Sequence, residues 1–188
     1  MKKTIISILF IVCTLPFNYS SAEQNDTPIE RTVVVLKDFP PQYSLSTSGR
    51  PQGFAIDIIE AVAEMADFKI NYLIKDSWKE LFQAIQNGEA DIIPNQGITD
   101  RRKAIFAFSN PVETFSVSIF VRQSEQTISG IQSLSGKNVG VVALNVGEVL
   151  LKKYPDVLLK KYQHIQGAIF ELLSGNIDAL VYPEPVLS

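Results

Sequence analysis

The chain has 188 residues, 46% of them hydrophobic, with 17 Lys and Arg against 20 Asp and Glu and a formal net charge of −3. This is globular composition, enough for one domain or two small lobes, and its acidic balance gives no basic surface for nucleic acid or an anionic membrane. The one cysteine, Cys13, falls in an N-terminal leader, so the remainder has no thiol chemistry and no disulfide framework.

Residues 1–22, "MKKTIISILFIVCTLPFNYSSA", join two cations, an apolar run from Ile5 to Phe17, and small residues before Glu23. That is the pattern of a cleavable secretory signal, and it predicts export. Its removal takes away Lys2 and Lys3 and no acid. Residues 23–31 read as a polar lead-in. "RTVVVLKD" predicts a buried strand over Thr32–Lys37, followed by a loop punctuated by Pro and Gly. Phe54–Ala66 predicts a helix with Ala55, Ile58, Ile59, Val62 and Ala66 on one face. "FKINYLI" alternates as a strand with Phe68, Ile70, Tyr72 and Ile74 on one side. Ser77 and Glu80 form a capping-box pattern for a helix that buries Trp78, Leu81, Phe82 and Ile85 and stops at Gly88. "ADIIP" reads as a short strand. Alternating strands and helices predict a largely parallel sheet, with ligands beyond the carboxyl ends of its strands. Those ends are Asp38–Tyr43 and Pro94–Thr99. After the second comes "GITDRRKAIFAFSNP", with three consecutive cations, Arg101, Arg102 and Lys103. Either they form a solvated run or one of them grips an anion.

A strand is predicted from about Glu113 to Arg122. The Ser-rich "SEQTISGIQSLSGKN" shifts composition and reads as a boundary. A second α/β run follows: "NVGVVAL" as strand, Gly147–Tyr154 as helix, "YQHI" as a short strand, Gly167–Ser174 as helix and "DALVY" as strand. "AIQNGEADII" and "ELLSGNIDAL" echo one another, with Gly88 matching Gly175 and Asp91 matching Asp178. The echo agrees with two similar lobes, between which a small-molecule cleft is expected. His164 is the sole histidine and reads as a surface residue at a strand edge, without partners for a metal. No P-loop, G-x-G-x-x-G or catalytic-triad context occurs, and no cofactor is expected.

Read in order, "DFPP", "GFAIDI", "W..LF.AI.NGEAD", "GIT..R", "FAFSNP", "L.GKNVGV" and "SGNIDALV" make the chain resemble the extracytoplasmic solute-binding proteins of family 3, the amino-acid type. The resemblance implies an α/β, two-lobed clamshell of type II that closes on a small ligand in the periplasm. It places the family's Thr-x-x-Arg on Thr99 and Arg102, with Arg102 taking a ligand carboxylate and Arg101 and Lys103 left to solvent. A planar guanidinium suits that role because it meets a carboxylate through two parallel hydrogen bonds. Phe54 matches an aromatic set against the ligand, or packs in the core. Phe39 or Tyr43 supplies the opposing wall. Asp38 meets a ligand cation or caps a turn. Asn145, Val146 and Gly147 offer backbone N–H groups to the other carboxylate oxygen, or only open a helix.

Several positions depart from the family pattern. Pro183 stands where transport members commonly carry an Asp for the ligand's ammonium, and Glu184 beside it either substitutes or faces solvent. Gly97 stands where many carry a hydroxyl. Family members cross back from the second lobe to the first, whereas this sequence stops at "YPEPVLS"; the expectation is a chain lacking that return, either a truncated reading frame or a fragment of a longer receptor. The expected division is signal 1–22, lead-in 23–31, first lobe 32–122, hinge 123–126, second lobe 127–182 and the start of a return over 183–188. The expected function is uptake or signalling by a monomer that binds a small carboxylate. Its partner is an ABC transporter permease or a membrane sensor module, the latter because "PNQGITDRR" is similar to domains fused to such sensors. The alternative on the same fold is a periplasmic dehydratase of the cyclohexadienyl type, with Glu184 as its acid.

Overall fold

A computed structural model describes residues 28–184; the signal over 1–22 lies outside the described residues. β1 (Ile29–Leu36) pairs in parallel with β5 (Phe68–Lys75) through eight residues. Its consecutive valines Val33, Val34 and Val35 have no exposed surface. β1 starts three residues earlier than the apolar pattern predicts, because Ile29–Arg31 pair along β5 while staying exposed. Beyond the carboxyl end of β1 runs an antiparallel ribbon of β2 (Asp38–Phe39), β3 (Tyr43–Leu45) and β4 (Pro51–Gln52).

Helices α1 (Phe54–Met65) and α2 (Trp78–Gln86) cover this first sheet. α1 buries Ala55, Ile56, Ile59 and Ala63, so its packed face is rotated from the predicted one and Val62 is exposed. Ser77 caps α2 by accepting the Glu80 N–H. Glu80 returns its carboxylate to the N–H of Asp76, one residue before the expected partner. The predicted strand "ADIIP" contracts to a single bridge between Ile92 and Val33. Pro94 has no N–H to continue a ladder, and Asn95 turns the chain with φ +50°. α3 is a single turn, Asp100–Lys103.

The second sheet has the order β6–β9–β7–β8, built from β6 (Val117–Val121), β7 (Asn138–Val142), β8 (Leu158–Tyr162) and β9 (Ala179–Pro183). β7 runs parallel to both β8 and β9, and β6 runs antiparallel to β9. β6 lies in the stretch that the sequence assigns to the first lobe, yet all its pairing is with the second sheet. Its side chains carry no sign of that choice, since a half-buried apolar strand suits either sheet. α4 (Val146–Leu151) and α5 (Ile165–Leu173) pack on this sheet. The expected strand "YQHI" is displaced: β8 ends at Tyr162, and His164 is the residue before α5.

The echo between the halves is structural. Gly88 and Gly175 both follow a helix with positive φ, 73° and 80°. Asp91 exchanges bonds with Thr32, giving its own N–H to the Thr32 carbonyl and accepting the Thr32 N–H on Oδ2. Asp178 makes the same two bonds with Asn138. Each aspartate thus ties its segment to a parallel strand of its own sheet, within β1 at Thr32 and at the first residue of β7, Asn138. The two halves meet through apolar contact: one core cluster runs from Val33–Leu36, Phe39 and Trp78 to Val142, Leu180 and Tyr182.

Candidate functional site

Burial divides the cation triplet. Arg101 and Lys103 are exposed, and Arg102 is 5% exposed. Thr99 creates this arrangement, since its hydroxyl accepts the Arg102 N–H at 3.3 Å and caps α3. Arg102 then crosses the boundary between the halves. Its Nη1 donates to the Gly97 carbonyl at 2.9 Å and its Nη2 to the Leu144 carbonyl, in the second half, at 2.8 Å. Its Cζ lies 5.5 Å from the centroid of the Phe82 ring, a cation–π arrangement. Phe82 is itself stacked between Trp78 and Phe106. Burial pulls the guanidinium down to about 10, with Arg101 adding to that and Tyr43 opposing it; it remains a cation at neutral pH. None of the ion pairs among the described residues involves it.

Gly97 has a geometric reason to lack a side chain. A Cβ there would stand 3.1 Å from Arg102 Nη1 and 3.8 Å from the Val146 Cβ. Glycine therefore leaves room for the guanidinium against the main chain, while the approach to Val146 is ordinary van der Waals contact. The loop carrying Gly97 is braced by a cluster that the sequence did not signal: Asn95 Nδ2 donates to Gln42 and Glu113, and Gln42 Nε2 donates to Glu113 at 2.7 Å.

Of the residues named for an aromatic wall, Phe39 and Tyr43 are buried and in contact with each other, and Phe54 is 41% exposed. Phe54 is therefore outside the core. Phe39 packs edge-on against Trp78 at 5.2 Å and against Tyr182 of the second half at 6.2 Å. The Tyr43 hydroxyl is fully buried without a hydrogen-bond partner among the described residues. Asp38 is exposed and accepts from Gln166 Nε2 of the second half at 2.6 Å. Asp38 and Gln166 line a cleft of about 590 Å³ between the halves, together with Asp76, Trp78, His164 and Tyr182. That cleft opens at the carboxyl ends of β1, β5, β7 and β8, where the parallel-sheet rule puts a ligand.

Asn145 is buried and caps α4 by accepting the Gly147 N–H, while its own N–H goes to Val142. Two of the three N–H groups that the sequence offers to a carboxylate are therefore engaged. Glu184 is exposed and accepts from Ser118 on β6, and its N–H bonds to Ser116. Pro183 is buried as the last residue of β9. Sequence reasoning missed Leu144 and Phe82 as contacts of Arg102. Phe82 was read only as a packed helix position within "W..LF" and Leu144 only as a strand end, because both reach the guanidinium through tertiary packing.

Comparison with known proteins agrees with this fold. The chain is 27% identical over its whole length to the "Probable amino-acid-binding protein YxeM" of Bacillus subtilis, of which it covers 72%. Among solved structures, an ancestral arginine-binding protein bound to arginine is 29% identical, with a TM-score of 0.76 over 84% of this chain and 71% of that one. The substrate-binding protein AbpA of Streptococcus pneumoniae, bound to L-arginine, is 26% identical, with a TM-score of 0.74 over 84% and 68%. The chain spans between 53% and 72% of the first three curated relatives it matches. The model of the bacterial extracellular solute-binding proteins, family 3, matches residues 32–181, and the chain belongs to that family.

Proposed function

We propose that this protein is a periplasmic receptor whose two lobes close on a small carboxylate, an amino acid or close relative, with Arg102 as the grip. The observation that carries this reading is a buried cation whose polar contacts among the described residues are two carbonyls and no carboxylate. A desolvated charge without a counter-ion costs several kcal/mol. A bound carboxylate would offset that cost through charge-assisted bonds of about 1.5–3 kcal/mol each. The guanidinium has five N–H donors; two are engaged, so enough remain for a two-pronged grip.

The names of the relatives and of the ligand-bound structures support an amino acid as ligand. Asp38 and Asp76 line the cleft between the halves, whose lining does not include Arg102; they suit a positive group on a ligand that extends from the guanidinium into that cleft. Pro183 offers no side-chain acceptor for an α-ammonium, so deaminated carboxylates belong among the candidates. The partner on this reading is an ABC transporter permease or a membrane sensor module. An enzymatic reading would need Glu184 as its acid, and that side chain is engaged with Ser118. Thermal-shift screening of the twenty L-amino acids and their 2-oxo analogues, followed by calorimetry on Arg102→Ala, tests the proposal. The expected result is a loss of affinity of at least about 100-fold, the equivalent of two charge-assisted bonds. Unchanged affinity in Arg102→Ala overturns it.

A further inference from the structure

The carbonyl that meets Arg102 across the crevice belongs to a residue in an unfavourable conformation. Leu144 has φ +64°. It is the third residue of a turn closed by the Asn145 N–H on the Val142 carbonyl at 3.1 Å, a position that such turns usually give to Gly or Asn. A leucine persists there only where its surroundings impose it. The side chain bonded to its N–H is Glu148, a carboxylate 3% exposed. Its Oε2 accepts the Leu144 N–H at 2.6 Å. Its Oε1 is held at 3.0 Å by both Lys152, from the end of α4, and Lys161 on β8. One oxygen is thus anchored to the second lobe and the other is reserved for the turn. The chain of contacts runs from Lys152 and Lys161 through Glu148 and Leu144 to Arg102 and Gly97, from the far side of the second lobe to the first.

We propose that Glu148 is a positioning residue of the ligand site: it holds Leu144 in the left-handed turn, so that the Leu144 carbonyl meets Arg102 and second-lobe closure is coupled to the carboxylate grip. This rests on the reading of Arg102 given above. Glu148 does not touch the ligand and acts only through the turn.

The test compares Glu148→Ala, Glu148→Gln, Glu148→Ala combined with Leu144→Gly, and Arg102→Ala. Two readouts are used: affinity for the strongest ligand of the amino-acid panel, and lobe separation without ligand. Separation is read by energy transfer between labels on cysteines placed at exposed Lys69 and Lys160, the processed chain having no other thiol. Glu148→Ala should weaken binding by about tenfold and lengthen the separation, since strained turns are worth about that much when released. Glu148→Gln retains a neutral acceptor for the Leu144 N–H and should stay within about threefold. Glycine adopts the left-handed turn unaided, so Leu144→Gly should restore Glu148→Ala to about the same range. A purely structural loss would not be rescued this way. Should Glu148→Ala not fold, Glu148→Asp, whose shorter arm withdraws from Leu144, takes its place with the same expectation. If Arg102→Ala abolishes binding while Glu148→Ala leaves affinity and separation unchanged, or if Leu144→Gly gives no rescue, the positioning role is wrong and the Arg102 reading stands. If Arg102→Ala leaves binding intact, the reading beneath it fails instead.

Discussion

Tyr43 and Arg102 are both polar, both buried, and both incompletely matched by the protein around them. Burial drives the Tyr43 phenol well above its usual range, Tyr182 adds to the effect, and Arg102 opposes it. A buried hydroxyl without a partner costs about 1–3 kcal/mol, which a core residue chosen only for packing would avoid as phenylalanine. Tyr43→Phe is therefore expected to leave stability unchanged or raise it by about 1 kcal/mol, while weakening ligand binding by roughly 2–10-fold through one lost hydrogen bond. Thermal denaturation and calorimetry on the same preparation would separate the two effects. A fall in stability with no change in affinity would make Tyr43 ordinary core. The pattern of Asp38–Tyr43 pointed to a ligand loop at the carboxyl end of β1, but it gave no means of ranking Phe39, Tyr43 and Asp38. Their difference lies in contacts far away in the chain: Phe39 is covered by Trp78 and Tyr182, Asp38 meets Gln166, and the Tyr43 hydroxyl is buried without a partner among the described residues.

The short turn α3 shows how a local signal becomes a site. Thr99 caps it, Asp100 sits in its first turn, and Arg102 is the residue whose N–H the cap receives. Losing an N-cap hydroxyl costs about 0.5–2 kcal/mol, and here the loss falls on the element that aims the guanidinium. Thr99→Ala should lower affinity by about 2–30-fold with a far smaller shift in the thermal midpoint, because four residues contribute little to the core. Equal losses in binding and global stability would show that the cap serves the fold alone. The sequence reached Thr99 and Arg102 only through the resemblance, with no helix or cap predicted there. The β1, α1, β5 and α2 segments were legible because each carries its own local apolar pattern. Three features were not. The "ADIIP" strand shrank to one bridge because Pro94 and Asn95 end it after a single exchange with β1. α1 turned its packed face because Ile56 and Ala63 meet the first core in place of Val62. β6 joined the second sheet because its partner, β9, lies about sixty residues later in the chain.

At the scale of the whole molecule, the halves touch through Phe39 and Tyr182, Asp38 and Gln166, and Arg102 and Leu144. Driving such a clamshell from 1:99 to 99:1 closed takes about 5.5 kcal/mol of differential binding, so the stability of the second lobe's rim matters as much as the grip. That rim depends on one anion. Burial alone would raise Glu148, but the Leu144 N–H and the ammonium groups of Lys161 and Lys152 hold it down to about 2, below its ordinary 4.5. A carboxyl depressed in the folded state stabilises that state above its unfolded pKa, and the contribution disappears as pH falls through the folded value. The window is therefore from about pH 4.5 down to about 2. Glu89 and Glu125 are also held down, but both titrate at exposed positions where solvent screens their partners. Parent protein and Glu148→Gln should therefore differ most near neutrality, with the parent more stable, and converge as the pH approaches 2. Thermal midpoints measured from pH 7 to pH 2 would show this. Two curves that stay parallel across that range would mean that the Glu148 charge, fixed between two lysines, does not contribute to holding the second lobe together.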